Sequence, residues 1–317
     1  MILYTGENIV MYYFIVNPAS RSGKGQILWD KTIQPALKKR NVEYEVYFSK
    51  KPGDLTRLAR EIGSKITDET SHLVIVGGDG TVNETLQGLS CLPNVTLSYI
   101  PTGSSNDFAR DLGFSKKPEQ ILNHLLDHAE TKKMDAGVLS SDHGTRMFAV
   151  SCGIGYDAAV CQEANLSKVK KAFNKIGLGK LTYLGIAIKQ LFTTRLEACD
   201  IYLDDKAPIH INKLYFVAVM NHRYEGGGFK FCPDAVSDDG ILNLCVIRNL
   251  PKLLVLVALP TGFFGKHYIF PGVDSYKASS VRIVTKKPLW VHTDGEIIEK
   301  SSDITVSCAP GKINFRY

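Results

Sequence analysis

An apolar run that ends in a glycine turn constrains the fold of this chain more than any other feature of the sequence. Residues 73–76 predict a buried strand, and the turn Gly77-Gly-Asp-Gly80 follows at once. The amides of residues 81–83 are expected to open a helix, whose N–H groups and positive dipole end would face a ligand in the turn. We therefore predict a phosphate site, with an ordinary tight turn as the alternative. Asp79 would repel phosphate unless a cation or a fixed hydrogen bond intervenes, and it suggests Mg²⁺ nearby.

The first part of the chain alternates strand-like and helix-like segments. Strands are predicted at residues 13–16, 43–48, 73–76 and 96–100, and helices at residues 27–39, 55–62, 82–89 and 118–128. This order predicts an α/β domain over residues 1–133 with a parallel, Rossmann-like sheet. Ligands of such folds lie at the carboxyl ends of the strands, so the turns that begin at Asn17, Gly77 and Pro101 are expected to converge on one crevice.

After residue 134 the pattern changes to short, β-rich runs. Strands are predicted at residues 147–151, 199–203, 214–219, 242–246, 281–284 and 304–307, with one helical insert near residues 168–193. We therefore expect a second, β-rich domain over residues 134–317. The boundary rests on the change of pattern alone, because the sequence has no Pro-rich linker.

Composition narrows the function classes. The net charge of +6 suits anionic substrates or an anionic membrane surface, and we expect no nucleic acid as a partner. The seven cysteines form no C-x-x-C pair, so they are interpreted as small buried residues in a reducing compartment. No secretory signal follows Met1, Met11 is an alternative start, and the apolar residues 253–264 are too short to span a bilayer. These features predict a cytoplasmic protein with peripheral membrane association at most.

Several motifs occur in the order of one known family. The segments Gly77-Gly-Asp-Gly-Thr-Val-Asn-Glu84, Pro101-Thr-Gly-Ser-Ser-Asn-Asp-Phe-Ala-Arg110 and Asn17-Pro-Ala-Ser-Arg21 resemble the diacylglycerol kinase catalytic-domain family of soluble bacterial lipid kinases. Further matches are Gly153-Ile-Gly-Tyr-Asp-Ala158, Gly226-Gly-Gly-Phe229, Asp238-Asp-Gly-Ile-Leu242 and Asp294-Gly-Glu296. The resemblance spans nearly the whole chain. It implies a fold similar to NAD kinase and diacylglycerol kinase, with an all-β, sandwich-like second domain whose last residues, 308–317, return to the first.

The resemblance also implies ATP as phosphate donor. Its contacts would be Asn17, Pro18, Ala19, Ser20, Arg21, Ser49, Gly77, Gly78, Asp79, Gly80, Thr81, Val82, Asn83 and Ser104. Ser104 replaces the threonine that is more usual in the family, although it retains the hydroxyl group.

The resemblance places Mg²⁺ on Asp239 and on the backbone carbonyls of Val236 and Ile241, an oxygen set that suits a hard cation. Asn243 stands where the family often has another aspartate, so one acidic contribution is absent. A surface Asp-Asp-Gly turn is the alternative interpretation.

The base candidates are Glu296 first and Asp294 second, as the resemblance implies. Strand alternation over residues 289–297 is expected to point both carboxylates to one side, across a glycine that lets substrate approach. Without the resemblance, Asp-Gly is first of all a hairpin turn signal. His292 is interpreted as a packed or surface residue, and the relaxed dinucleotide pattern at residues 153–158 as close packing, because residues 168–195 contain no acid to hold a ribose.

Those same residues, 168–195, carry cations without one acid and apolar residues at helical spacing. Such a helix suits an anionic membrane surface, and a core-packed helix with a solvated basic face is equally consistent. The sequence thus predicts an ATP- and Mg²⁺-dependent lipid kinase, most simply one that converts diacylglycerol to phosphatidic acid. Phosphatidylglycerol or a sphingoid base is the alternative acceptor. NAD kinase, a non-catalytic lipid- or nucleotide-binding regulator and a dinucleotide oxidoreductase are the other classes, and a homodimer stays open.

Overall fold

The computed structural model describes residues 10–66, 71–90, 95–114, 117–127, 130–166 and 179–317. The chain divides into two compact units. The first comprises residues 1–109, 113–134 and 313–317, and the second comprises residues 110–112 and 135–312. The division therefore lies between Met134 and Asp135, with the last five residues in the first unit.

The described part of the first unit contains four parallel strands in the order β2-β1-β3-β4: β1 (Tyr12–Val16), β2 (Tyr44–Phe48), β3 (His72–Gly77) and β4 (Thr96–Pro101). Each end differs from the predicted strand by one residue at most. Every residue of β1 and β3 is buried, as expected for central parallel strands covered on both faces. Asn314 and Phe315, near the C-terminus, add a further parallel pairing beside β4.

Helices connect these strands: α1 (Ser20–Leu28), a π-helical segment (Trp29–Ile33), α2 (Gln34–Lys39), α3 (Asp54–Lys65), α4 (Asp79–Leu89), α5 (Asp107–Asp111) and α6 (Pro118–Asp127). Phe14, Trp29, Ile33 and Leu37 are fully buried in the core that these helices share with the sheet. The first helical stretch begins earlier than the predicted residue 27, because residues 20–26 are polar or glycine and carry no apolar period.

The later strands are antiparallel: β5 (Thr131–Ser141), β6 (Gly144–Phe148), β7 (Ser151–Gly155), β8 (Glu197–Leu203), β9 (Ile209–Met220), β10 (Leu242–Arg248), β11 (Val273–Ala278), β12 (Ser280–Thr293) and β13 (Glu296–Arg316). Their order is β11-β10-β9-β7-β12-β13, and β8 also pairs with both β9 and β12. The strand predicted at residues 147–151 is wrong, since it straddles the break between β6 and β7. Strands β5 and β11 were not predicted.

Among the described residues of the second unit there are also three helices, α7 (Tyr156–Leu166), α8 (Gly179–Thr193) and α9 (Lys252–Gly262), and a 3₁₀ turn (His267–Ile269) follows α9. The expectation of an all-β domain is therefore too strong. The predicted insert at residues 168–193 is represented by α8, while residues 167–178 lie outside the described residues. None of the described helices combines the length and apolar character of a membrane span.

Candidate functional site

The glycine turn after β3 is joined to the turn after β1 by hydrogen bonds through Thr81. The Gly78 N–H donates to Thr81 Oγ1 at 3.3 Å, and Asn17 Nδ2 donates to the same oxygen at 3.2 Å. Asn17 Oδ1 also accepts the N–H of Ala19 at 3.1 Å. A Cβ at Gly77 would lie 2.2 Å from Thr81 Oγ1, so only glycine fits there. The first two predicted phosphate turns therefore form one connected structure.

The turn after β4 joins the same structure. The Thr102 N–H donates to the Gly77 carbonyl at 2.6 Å, and the Ser20 and Thr102 hydroxyl groups share a buried hydrogen bond of 2.6 Å. A Cβ at Gly103 would lie 2.7 Å from the Gly78 Cα, so the two glycine backbones pack directly against each other. The turns that begin at Asn17, Gly77 and Pro101 thus meet at the carboxyl ends of their strands.

The Asp79 carboxylate accepts fixed hydrogen bonds. Such bonds were one of the two predicted ways to place this acid beside a phosphate, the other being a nearby cation. The carboxylate accepts the N–H of Asp107 at 3.0 Å and the N–H of Phe108 at 3.4 Å. These donors belong to the first turn of α5, where backbone N–H groups have no partner within the helix. The acid of the glycine turn therefore holds α5 in place through its backbone hydrogen bonds.

Residues 21–23 adopt an unusual backbone conformation. Arg21, Ser22 and Gly23 have φ angles of 45°, 59° and 94°, so three consecutive residues are left-handed inside the stretch assigned to α1. Left-handed conformations are costly for residues other than glycine and are concentrated at functional sites. Consecutive backbone N–H groups in such turns form concave anion sites. This segment is thus suited to a phosphate group.

The remaining nucleotide candidates occupy different positions around these turns. Val82 and Asn83 are buried in the first turns of α4, so only their backbone could face a ligand. Gly80 lies in the first turn of the same helix, and Ser104 is exposed beside Gly103. Ser49 follows β2, and its N–H donates to the Val16 carbonyl at 3.0 Å. All the nucleotide candidates belong to the first unit.

In the second unit, Asp294 and Gly295 form the hairpin turn between β12 and β13. Both have positive φ angles, 50° and 79°, and Thr293 pairs with Glu296 across the turn, as in a two-residue hairpin of the primed type. The expectation that strand alternation points Asp294 and Glu296 to one side is therefore wrong. The strand ends at Thr293, and the turn reverses the chain before Glu296.

The two carboxylates of this turn have different surroundings. The Asp294 carboxylate accepts three backbone N–H groups, those of Ala149 at 3.0 Å, Val150 at 2.8 Å and Ser151 at 3.0 Å. It therefore anchors the turn to the start of β7. The Glu296 side chain is exposed, which leaves it accessible to a substrate.

Glu296 lines a cavity of about 620 Å³ in the second unit. Gln162 and Asn165 of α7 line the same cavity, as do Trp290 and Lys300 of the β12–β13 hairpin. The Lys300 ammonium lies 5.0 Å from the centre of the Trp290 ring. The cavity thus offers an aromatic surface, two amides and the carboxylates of Glu296 and Glu299 to a polar acceptor group.

A buried cluster of charged groups supports the hairpin from behind. His292 is fully buried, and its Nε2 lies 3.2 Å from Asp157 Oδ2 and 3.4 Å from Glu225 Oε1. The Gly295 N–H donates to His292 Nδ1 at 3.1 Å. A Cβ at Gly153 would lie 2.2 Å from Nε2, so glycine at that position makes room for the ring. Close packing is thus the observed role of the Gly153 motif.

The carboxylates of this cluster change how the imidazole titrates. Burial lowers the pKa of His292, but Glu225 and Asp157 outweigh burial and raise that pKa from 6.5 to about 9. The Gly295 N–H can donate to Nδ1 only when the ring is neutral, so the imidazolium exchanges this hydrogen bond for its ion pairs with the two carboxylates.

We expect His292→Gln to flatten the dependence of thermal stability on pH above neutrality. The folded protein binds this proton more tightly than the unfolded chain, so the stabilisation is complete below pH 6.5 and is lost as the pH rises through about 9. The difference corresponds to roughly 3 kcal/mol of unfolding free energy. Thermal unfolding between these pH values should show a falling Tm for the parent chain and a flatter curve for the variant. Parallel curves would contradict this assignment, and His143→Gln on the β5–β6 hairpin is the control.

The candidate metal turn, residues 236–241, also lies in the second unit. Asp239 is exposed, and its Oδ1 accepts the Ile241 N–H at 3.0 Å. The buried Asp135 carboxylate accepts the N–H of Gly240 at 2.7 Å and that of Gly311 at 2.8 Å, so it fixes the backbone of the turn. An exposed carboxylate on a fixed turn, flanked by the carbonyls of Val236 and Ile241, fits a hard cation.

This turn contains only one of the usual acidic contributions. Within the described residues, no group of three or more His, Cys, Asp or Glu side chains has the geometry of a metal site. Asn243 is buried in β10, and its Nδ2 has no hydrogen-bond partner. An aspartate at this position would add a charge that the asparagine does not supply, so the oxygen set predicts weak metal binding.

Several residues of the second unit that organise the candidate site were not predicted from the sequence. Asp135 fixes the Asp239 turn, and Asp157, Glu225 and His292 form the buried cluster behind Glu296. A signal was present, because Asp157 lies inside the Gly153 motif, Glu225 precedes Gly226 and His292 precedes Asp294. Three separate motifs therefore meet at one cluster.

Two family profiles together match most of the chain. The profile described as the diacylglycerol kinase catalytic domain matches residues 11–139. The profile described as the YegS C-terminal NAD kinase beta sandwich-like domain matches residues 150–316.

Relatives and solved structures are similar over most of their length. The chain is 31% identical over 294 residues to a Bacillus subtilis (strain 168) protein named "Putative lipid kinase YtlR", covering 90% of this chain and 93% of that protein. It is 26% identical over 232 residues to a Mycobacterium tuberculosis (strain ATCC 25618 / H37Rv) protein named "Diacylglycerol kinase". This match covers 73% of this chain and 72% of that protein. The crystal structure of a diacylglycerol kinase from Bacillus anthracis str. Sterne matches with a TM-score of 0.71 at 22% identity, over 98% of this chain and 97% of that one. At this identity, the structural match shows a shared fold.

Proposed function

We propose an ATP- and Mg²⁺-dependent reaction for this chain, which belongs to the diacylglycerol kinase catalytic-domain family of lipid kinases. As a phosphotransferase, the protein needs a nucleotide phosphate donor and an alcohol acceptor. The acceptor that we propose is the hydroxyl group of diacylglycerol, and the product is phosphatidic acid. The name of the Mycobacterium tuberculosis relative supports this choice of lipid.

The connected turns of the first unit would hold the donor phosphates. The left-handed residues 21–23 and the N-terminus of α4 both present backbone N–H groups, which suit anionic oxygens. Gly78 and Gly103 leave no side chain where their backbones meet, so a polyphosphate can approach the main chain closely. These features support ATP binding at the nucleotide-contact residues predicted from the sequence.

The acceptor chemistry would belong to Glu296. In this proposal its carboxylate takes the proton of the lipid hydroxyl as that oxygen attacks the γ-phosphorus of ATP. The new O–P bond forms, the bond to the β-phosphate oxygen breaks, and ADP leaves. The observation that carries this assignment is an exposed Glu296 on a hairpin that the Asp294 carboxylate anchors through backbone hydrogen bonds.

Mg²⁺ would be held by Asp239 and the carbonyls of Val236 and Ile241. When bound, the ion would supply positive charge that offsets the charge of the reacting phosphates. Asp135 would contribute by fixing the Gly240 backbone beside these candidate ligands.

A direct test is incubation of the purified chain with labelled ATP, Mg²⁺ and a total lipid extract, followed by mass spectrometry of the labelled lipids. We expect phosphatidic acid to be the main labelled product. Label in phosphatidylglycerol or in sphingoid bases would replace the proposed acceptor, and no labelled lipid at all would overturn the proposal. Labelling of added NAD would favour the NAD kinase alternative.

We expect Asp239→Asn to raise the Mg²⁺ concentration needed for half-maximal activity roughly tenfold, because a charged ligand is replaced by a neutral one. Activity measured over a range of Mg²⁺ concentrations checks this. Asp238→Asn is the matched control, since Asp238 is a neighbouring exposed aspartate of the same turn. An unchanged Mg²⁺ dependence in Asp239→Asn would place the ion elsewhere.

A further inference from the structure

Exposed apolar side chains are concentrated on two neighbouring helices of the second unit. Among the described residues, twelve large apolar side chains are strongly exposed, and eight of them lie on α8, on α9 or in the segment that follows α9. On α8 these are Leu184, Ile188 and Phe192, and on α9 and after it they are Leu253, Val257, Phe263, Phe264 and Ile269. We name this set the apolar patch. Its size distinguishes it from single exposed apolar residues, which are normal on protein surfaces.

The spacing shows that each helix turns one apolar stripe outward. The exposed residues of α8 recur every four positions, while Leu191 on another side of the helix is 1% exposed. On α9, Val255 and Ala258 are buried, and Leu253 and Val257 are 71% and 60% exposed. Each helix therefore packs one apolar face against the rest of the second unit and exposes another apolar face to solvent.

The two helices contact each other, and we take their outward stripes as parts of one surface. The Lys252 Nζ at the start of α9 donates to the Phe192 carbonyl near the end of α8 at 2.7 Å. Phe263 and Phe264 extend this surface beyond α9, and Phe264 is 77% exposed.

The two segments that carry the apolar patch have basic residues and no acidic ones. Residues 179–196 and residues 250–272 contain no Asp or Glu, whereas they contain Lys189, Arg195, Lys252 and Lys266. Lys189 pairs with Glu163 of α7. An apolar face flanked mainly by cations is complementary to an anionic lipid surface.

We propose that the apolar patch docks the protein on an anionic lipid bilayer, with Leu253, Phe263 and Phe264 entering the interfacial region. This inference rests on the proposed function, because a kinase whose acceptor is a membrane lipid must reach that lipid at the bilayer. A second copy of the chain is a poorer occupant. A symmetric contact through the same patch would bring Lys252, Lys266 and Arg195 of both copies together without an acid to compensate them.

The test uses the full chain and sedimentation with vesicles of phosphatidylcholine containing about 30% phosphatidylglycerol, chosen so that the cationic flanks are engaged. We expect the parent chain to sediment with these vesicles and the double variant Leu253→Gln/Phe264→Gln to bind at least tenfold more weakly. Ile27→Gln is the matched control, because Ile27 is 53% exposed but lies in the first unit. Both altered side chains are exposed, so the Tm of the double variant should equal that of the parent.

Two further measurements separate vesicle binding from phosphoryl transfer. Vesicle binding needs neither ATP nor turnover, and phosphorylation of a short-chain, water-dispersed diacylglycerol should be equal in the parent and the double variant. If vesicles bind but no lipid is phosphorylated, the docking surface stands and the proposed function fails. Undiminished binding by the double variant overturns the docking surface. So does a dimer in light scattering that the double variant abolishes, since the patch would then be covered by a second copy.

Discussion

Replacing Glu296 with glutamine is expected to reduce phosphoryl transfer by about three orders of magnitude, the range over which a positioned general base contributes. Glutamine has nearly the same shape as glutamate but cannot accept the proton of the lipid hydroxyl. Because the Glu296 side chain is exposed, the exchange should leave the fold and its Tm unchanged. Transfer of labelled phosphate to dispersed diacylglycerol measures the effect.

Nucleotide binding separates a chemical role from a binding role in this variant. The nucleotide candidates lie in the first unit, so Glu296→Gln should bind a fluorescent ATP analogue as the parent does. Glu299→Gln is the matched control, since Glu299 is exposed, lines the same cavity and follows three residues later in β13. Full activity in Glu296→Gln would remove this residue from the mechanism, and equal losses in the two variants would indicate a general effect of charge.

The first unit could be predicted well from the sequence because its signals are local. Apolar runs such as residues 73–76 lead directly into glycine turns, and a strand followed by a turn has few alternative conformations. The hydrogen bonds that join the turns were not predictable in detail. They link residues far apart in sequence, such as Asn17 with Thr81 and Ser20 with Thr102.

The second unit was predicted less well, and the reason differs from one element to another. Helix α9 is apolar on almost every side, so its sequence shows no helical period that would distinguish it from a strand. Helix α7 begins directly after the glycines of β7, and its small and polar residues carry a weak amphipathic pattern. The strand at residues 147–151 was misplaced because two short strands flank a bend that the apolar pattern does not mark.

His292 illustrates why the residue type at one position in a sequence does not reveal the role of that residue in the folded protein. A lone histidine is most often a packed residue, and His292 is indeed fully buried. Its importance comes from partners at positions 157 and 225, which only the folded chain brings to within 3.4 Å of its ring. The same holds for Asp294, whose three backbone donors belong to residues about 145 positions earlier in the chain.

The second large effect is expected for Asp294→Ala, which removes the acceptor of three backbone N–H groups. Hydrogen bonds to a charged group contribute about 1.5–3 kcal/mol each, so the unfolding free energy should fall by several kcal/mol. The turn would also lose its anchor to β7. A displacement of roughly 1 Å at the base costs about a hundredfold in rate, and activity should fall by at least that factor.

Asp204→Ala is the matched control for this prediction. Asp204 also has a φ of 50°, and its carboxylate accepts the backbone N–H groups of Ser279 and Ser280 in the same unit. Both variants should therefore lose thermal stability, whereas only Asp294→Ala should lose activity at a temperature where each remains folded. If Asp294→Ala keeps its activity while its Tm falls, the anchor stabilises the fold without positioning Glu296. If Asp294→Asn restores most of the rate, hydrogen-bond acceptance by the side-chain oxygen is sufficient, and a proton-transfer role for Asp294 itself is excluded.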